Sequence, residues 1–175
     1  HETITNIIPV LTQIRRNKPG TVLGNGGGGL GFGGGVALGA KLAHPDRKVF
    51  HVTGDGSFIF SGPTALYMVA RQQGLPIFTV VLDNCGWGAV KNATRRVYPA
   101  GAAQAAGAYQ SLLGADTHYE KIAETVGAYG ERVEDPEQLR PALARCLVAL
   151  DEGRSAILVA RIEPVEALTT QQAVV

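Results

Sequence analysis

The stretch Gly54-Asp55-Gly56-Ser57-Phe58 constrains this chain more than any other, because one regular element must end there and another begin. The run before it, Val49-Phe50-His51-Val52, has the length and β-branched content of a buried strand. Two glycines around a carboxylate turn the backbone so that Asp55 lies at the strand's carboxyl end, and residues 57 to 73 follow as a segment of helical length. Unpaired N–H groups at a helix start favour an anion, and an aspartate beside them favours a hard cation. Downstream the pattern repeats. Ile77-Phe78-Thr79-Val80-Val81-Leu82 is a continuous apolar strand that delivers Asp83-Asn84-Cys85-Gly86-Trp87-Gly88 to the same edge of a parallel sheet. Two neighbouring strand ends, each offering one oxygen beside a helix start, suit a divalent ion that carries a diphosphate. Mg²⁺ takes few protein oxygens in near-octahedral geometry and leaves the rest to phosphate and water.

The remaining segments extend this alternation. Ile4, Ile7, Ile8, Leu11 and Ile14 predict a helix over residues 3 to 16, stopped by Pro19-Gly20. Thr21-Val22-Leu23 reads as a short strand, residues 24 to 35 as a glycine loop, and residues 36 to 43 as a small-residue helix. A short helix is expected over residues 88 to 96, and a long mobile loop over residues 97 to 117. Helices follow at 119 to 126 and 136 to 150, with strands at 131 to 133 and 155 to 162. The expected fold is a doubly wound α/β domain with a mainly parallel sheet of about six strands flanked by helices. It spans residues 1 to 163, with residues 164 to 175 as a C-terminal tail.

At 175 residues the chain is long enough for one substantial core. Sixteen basic residues against 15 acidic ones give a net charge of +1, which argues against a nucleic-acid or membrane-surface partner. Cys85 and Cys146 have no metal-ligand spacing, and no apolar stretch reaches a membrane span, so a reducing, cytoplasmic setting is expected.

Gly-Asp-Gly, about 26 further residues and an Asn-containing turn together resemble the signature of thiamine diphosphate (ThDP) enzymes. The surrounding residues are most similar to the branch that holds acetolactate synthase, benzoylformate decarboxylase and oxalyl-CoA decarboxylase. That branch carries Asn-Asn where this chain has Asp83-Asn84, so the departure falls on the position that is not the ligand. The resemblance implies Mg²⁺ held by Asp55, Asn84 and the carbonyl of Gly86. It implies a diphosphate met by Gly56, Ser57, Gly88 and Ala89, with Gly54 also at the cofactor. In the run Gly26-Gly27-Gly28-Gly29-Leu30-Gly31-Phe32, Leu30 matches the leucine that bends the coenzyme, and the Gly28 carbonyl matches the acceptor for its 4′-amino group. Val90 would pack on the pyrimidine. Trp87 is either a wall of the site or a core residue.

Gly24, Gly26 and Gly29 also fit a dinucleotide-binding fingerprint, without an acidic residue placed for a ribose. A dinucleotide-binding oxidoreductase domain therefore stands as the reading from another class, alongside a silent accessory subunit. Phe58, Phe60 and His51 are assigned to the core, Cys85 to a small buried position, and Arg95-Arg96 to a solvated face.

Enzymes of this kind share the site between two domains, and the second carries the glutamate that activates the coenzyme. No catalytic residue is assigned in this chain, and Glu2 is given no role. The expected partner is a pyrimidine-binding domain or subunit, in a homodimer or homotetramer of the full enzyme. FAD is an option that no residue indicates. The implied reaction forms or breaks a C–C bond beside the carbonyl of a 2-oxo acid, with acetolactate synthase-like condensation first. Decarboxylation is the second choice, and 2-hydroxyacyl-CoA or oxalyl-CoA lysis the third.

Overall fold

A computed structural model describes residues 1–24 and 27–163. Its centre is a parallel sheet of four strands, β1 (Phe50–Gly54), β2 (Phe78–Asp83), β3 (Tyr129–Val133) and β4 (Ala156–Arg161), in the order β1-β2-β4-β3. Phe50 pairs with Phe78 and Gly54 with Leu82, so the turns after β1 and β2 leave the sheet at one level. The alternation of side chains along each strand feeds two cores. Ile157 and Val159 join Phe58, Leu66, Tyr67, Val81 and Tyr119 on one face, while Ala156 and Leu158 join Phe78, Val133, Ala142 and Cys146 on the other.

Helices cover both faces, as a doubly wound sheet requires. They are α1 (Ile7–Gln13), α2 (Phe32–Ala43), α3 (Asp55–Phe60), α4 (Pro63–Gln72), α5 (Gly88–Val97), α6 (Ala102–Ala106), α7 (Ile122–Val126) and α8 (Pro136–Asp151). The start of α8 is chemically explicit: Pro136 occupies its first turn, and the Asp135 carboxylate accepts from the Glu137 N–H at 2.9 Å. Among the described residues no helix is long and apolar enough to cross a membrane.

Several local expectations are corrected. The described residues form four strands rather than six, with Glu2 adding one parallel bridge to Thr53 on the free edge of β1. Residues 21 to 23 form no strand, and Val22 and Leu23 are exposed. The segment from 57 to 73 is two helices, because Gly62 takes a left-handed φ of 62° and Pro63 opens α4 with its ring in place of an N–H. The loop from 97 to 117 contains α6 and is tied down at Leu112, which bridges to Gly86. The first helix is shorter than its apolar period, and Ile8, Leu11 and Ile14 are exposed. Residues 164 to 175, the expected tail, lie outside the described residues, as does Gly26 of the glycine run.

Candidate cofactor site at the strand ends

The turns after β1 and β2 meet over the carboxyl ends of the strands. Asp55 begins α3 directly from β1 and is 2 % exposed. One carboxylate oxygen accepts the N–H of Gly56 at 2.9 Å, and the other accepts the N–H of Gly86 at 2.8 Å from the neighbouring turn. Burial pushes the Asp55 carboxyl up to about 7; the Gly56 N–H opposes that rise and the nearby Asp83 carboxylate adds to it. A buried carboxylate held in this way gains from a cation.

The β2 turn is built differently. Cys85 takes a left-handed φ of 63° and sends Gly86 back toward Asp55. The Asp83 carboxylate fixes this turn by accepting the Cys85 N–H at 3.1 Å. Its second oxygen faces Arg132 at 3.3 Å and Arg161 at 3.5 Å, which balance a charge that the Asn-Asn pattern would not carry. Residues 111 to 113 strap the turn from outside, through Trp87 N–H to Ser111 carbonyl and Leu113 N–H to Cys85 carbonyl, both at 2.8 Å. Cys85 is buried with its thiol against the Arg161 guanidinium. Burial raises that thiol, so it is not a thiolate ligand in waiting.

Between the turns, the Asn84 amide lies 3.1 Å from Asp55 Oδ1 and 2.7 Å from the Gly86 carbonyl. With its NH₂ turned toward them, the Asn84 amide donates to both and holds the two turns together. Turned the other way, its oxygen joins the Asp55 carboxylate and the Gly86 carbonyl as a third oxygen ligand to a cation. Adjacent oxygens around an octahedral Mg²⁺ with 2.0–2.1 Å bonds lie ~3.0 Å apart, so the spacing fits that ion. One carboxylate, one amide and one carbonyl are hard oxygen donors. Among the described residues no cluster of three His, Cys, Asp or Glu offers the alternative that Zn²⁺ would want.

The cleft over these oxygens is lined by Leu30, Gly54, Asp55, Gly56, Ser57, Asn84, Gly86, Trp87, Gly88, Ala89 and Val90, and so brings together every sequence-derived site residue except Gly28. Gly28 is exposed with a φ of 69° outside the lining. Gly88, Ala89 and Val90 form the first turn of α5, where backbone N–H groups favour an anion. Gly56 is a requirement of packing, since a Cβ there would lie 2.2 Å from the Trp87 indole. Trp87 is half-buried and serves as a wall of the cleft, with its ring edge-on to Phe60 at 6.0 Å. Phe58 is fully buried as expected, whereas Phe60 is exposed beside the cleft and not in the core.

Sequence reasoning missed the segment Thr3-Ile4-Thr5-Asn6, which closes the cleft's far side. Thr3 is 2 % exposed and its hydroxyl has no partner; the Trp87 indole N–H is also buried without one. Buried polar atoms left open at a cleft point to a ligand that completes them. The available signal was a cluster of short polar residues ahead of an apolar-periodic run, which the helix expectation over residues 3 to 16 absorbed.

A parallel α/β sheet that gathers oxygens, glycines and helix starts at its strand ends defines a domain for a phosphate-bearing cofactor. The comparisons with known proteins specify which. Residues 6–160 match the family described as thiamine pyrophosphate enzyme, C-terminal TPP binding domain, and the chain belongs to that family. It is 35% identical over 134 residues to the acetolactate synthase large subunit of Mycobacterium tuberculosis, covering 75% of this chain and 22% of that protein. It is 30% identical over 137 residues to 2-hydroxyacyl-CoA lyase 2 of Caenorhabditis elegans, covering 75% and 19%. Among solved structures, the ThDP-dependent 4-hydroxybenzoylformate decarboxylase of Rhodococcus jostii superposes with a TM-score of 0.62 at 28% identity, covering 79% of this chain and 24% of that one. The chain therefore spans about a quarter or less of the length of these relatives.

Proposed function

We propose that this chain is the diphosphate-gripping part of a ThDP-dependent enzyme that makes or breaks a C–C bond beside the carbonyl of a 2-oxo acid, in the manner of acetolactate synthase. The meeting of the Asp55 carboxylate, the Asn84 amide and the Gly86 carbonyl over the strand ends, in one cleft, carries the reading. These three would hold Mg²⁺. Gly54, Gly56, Ser57, Gly88 and Ala89 would surround the diphosphate, and the Thr3 hydroxyl would find its partner there. Leu30, Trp87 and Val90 would form the apolar wall along the organic part of the coenzyme; Gly28, exposed and outside the lining, is given no part in that wall. When bound, ThDP supplies a carbon nucleophile and an electron sink. The residues of this chain hold it in one place and shield it from water.

The exposed apolar side chains at the rim, Ile4, Leu30, Phe60 and Val90, suit coverage by a pyrimidine-binding domain or subunit in an oligomer of the full enzyme. That partner supplies the activating carboxylate. Simple decarboxylation is the second reading, favoured by the likeness to the Rhodococcus enzyme.

Thermal denaturation of the full-length protein tests the assignment. ThDP with Mg²⁺ at about 100 times its Kd should add roughly 2.7 kcal/mol of stability, whereas NAD should add none. Stabilisation by NAD and not by ThDP would reverse the assignment. Incubation with pyruvate then separates the activities, because condensation yields acetolactate and simple decarboxylation yields acetaldehyde.

A further inference from the structure

Glu2 is a buried carboxylate, 4 % exposed, to which the cofactor reading gives no task. Both its oxygens are occupied by the glycine segment. Oε1 accepts the N–H of Gly31 at 2.5 Å, and Oε2 accepts the N–H of Gly33 at 2.8 Å, at the entry to α2. Its backbone is fastened elsewhere: the Glu2 N–H donates to the Val52 carbonyl at 2.8 Å, and the Gly54 N–H donates to the Glu2 carbonyl at 3.2 Å. One residue thus joins the end of β1, next to Asp55, to the two glycines that flank Phe32, the first of which follows Leu30 directly.

The grip has little slack. Gly31 sits at a φ of 87°, and a Cβ there would come within 2.5 Å of the Phe60 carbonyl group, so backbone closes the segment from that side. At Gly33 a Cβ would lie 2.8 Å from Glu2 Oε2 and 2.5 Å from Nε2 of buried His51. Leu30 itself is 42% exposed and lines the cleft, so its position comes from Gly31 rather than from burial of its own side chain.

We propose that Glu2 is a positioning residue: its carboxylate fixes Gly31 and Gly33 and thereby sets Leu30 against the coenzyme held at Asp55 and Asn84. This rests on the ThDP reading and deepens it. A carboxylate is needed because two N–H groups point at it. Gln offers one oxygen and one NH₂ in its place, so one N–H is left facing a donor, while Asp keeps both oxygens one methylene short.

The test uses the full-length enzyme with Glu2→Gln and Glu2→Asp. In the coenzyme-free protein, amide hydrogen exchange at Gly31 and Gly33 should accelerate roughly 10-fold or more in Glu2→Gln, the effect of losing a hydrogen bond to a charged acceptor. ThDP affinity at saturating Mg²⁺ should fall by a similar factor. At saturating ThDP, exchange of the coenzyme's C2 hydrogen with deuterated water should slow, with Glu2→Asp recovering part of the rate. Wild-type C2 exchange in Glu2→Gln at saturation, together with a lowered melting temperature, would reduce Glu2 to a helix anchor and overturn the proposal. If the wild-type enzyme itself binds no ThDP, the cofactor reading fails and this proposal with it; if it binds and the variants match it throughout, only this proposal fails.

Discussion

Glycine serves opposite purposes at the two ends of the sheet. At the carboxyl ends it makes room: a Cβ on Gly56 would strike the Trp87 indole, and one on Gly86 would come within 2.2 Å of the Ser111 carbonyl. At the amino ends, Gly74 and Gly153 have open space around them and are there for left-handed turns, with φ of 61° and 80°. The polar groups differ in the same sense. Beneath the amino ends, Ser155 Oγ accepts the Ile77 N–H at 3.2 Å, and the Tyr67 hydroxyl donates to Thr79 at 2.5 Å. Over the carboxyl ends, the Asp55 carboxylate, the Asn84 amide and the Gly86 carbonyl meet at one point, and the Thr3 hydroxyl and Trp87 indole N–H lack partners. At the amino ends these polar groups are paired within the protein; at the carboxyl ends the Thr3 hydroxyl and the Trp87 indole N–H are left open toward a cleft.

The largest effect that would break this contrast is at Asp55. Asp55→Ala removes the sole carboxylate of the oxygen trio, and ThDP affinity measured calorimetrically with Mg²⁺ should fall at least ~100-fold, beyond what loss of an outer-shell partner causes. An unchanged affinity would separate the cleft from the cofactor.

Next comes His51, the buried imidazole below the cleft whose Nε2 has no partner. Burial lowers it from 6.5 to about 4. Above pH 6.5 the ring is neutral in both states and adds no pH dependence. Between 6.5 and about 4 only the unfolded chain gains the proton, so folding stability should drop by about 3 kcal/mol across that window. Because Asp55, with its carboxyl pushed up to about 7, contributes a slope of opposite sign over the same window, the His51 contribution is read as the difference between wild type and His51→Gln in denaturant titrations at several pH values.

Gly56→Ala should cost about 1–3 kcal/mol through overpacking against the indole, read mostly as weaker ThDP binding. The smallest effect belongs to the other end. Gly153→Ala should cost about 1 kcal/mol of stability from its left-handed backbone and leave ThDP affinity alone. Equal losses of affinity from these two substitutions would erase the distinction.

Much of this division was legible in the sequence. Two continuous apolar strands, each followed at once by an oxygen-bearing turn, place Asp55 and Asn84 on one edge, and parallel register does the rest. Glu2 and Thr3 were hidden because Glu2 is placed by non-local contacts, a bridge to Thr53 across 51 positions of chain and bonds to Gly31 and Gly33 across 29 and 31. Local periodicity carries no trace of such a contact. The break at Gly62-Pro63 was written in the chain, yet the helical run around it obscured it. Phe60 was misplaced because an aromatic on a helix faces the core or the solvent according to where that helix starts, and α3 starts two residues earlier than periodicity suggested. The Leu112 strap over Gly86 is likewise non-local, set in an Ala/Gly-rich stretch with no period.

The most direct test is an anomalous diffraction map of the full-length enzyme crystallised with ThDP and Mn²⁺. One strong metal peak should lie ~2.2 Å from Asp55, Asn84 and the Gly86 carbonyl, with the diphosphate on its open side. A metal peak away from these three oxygens, or the coenzyme bound elsewhere, would contradict the account.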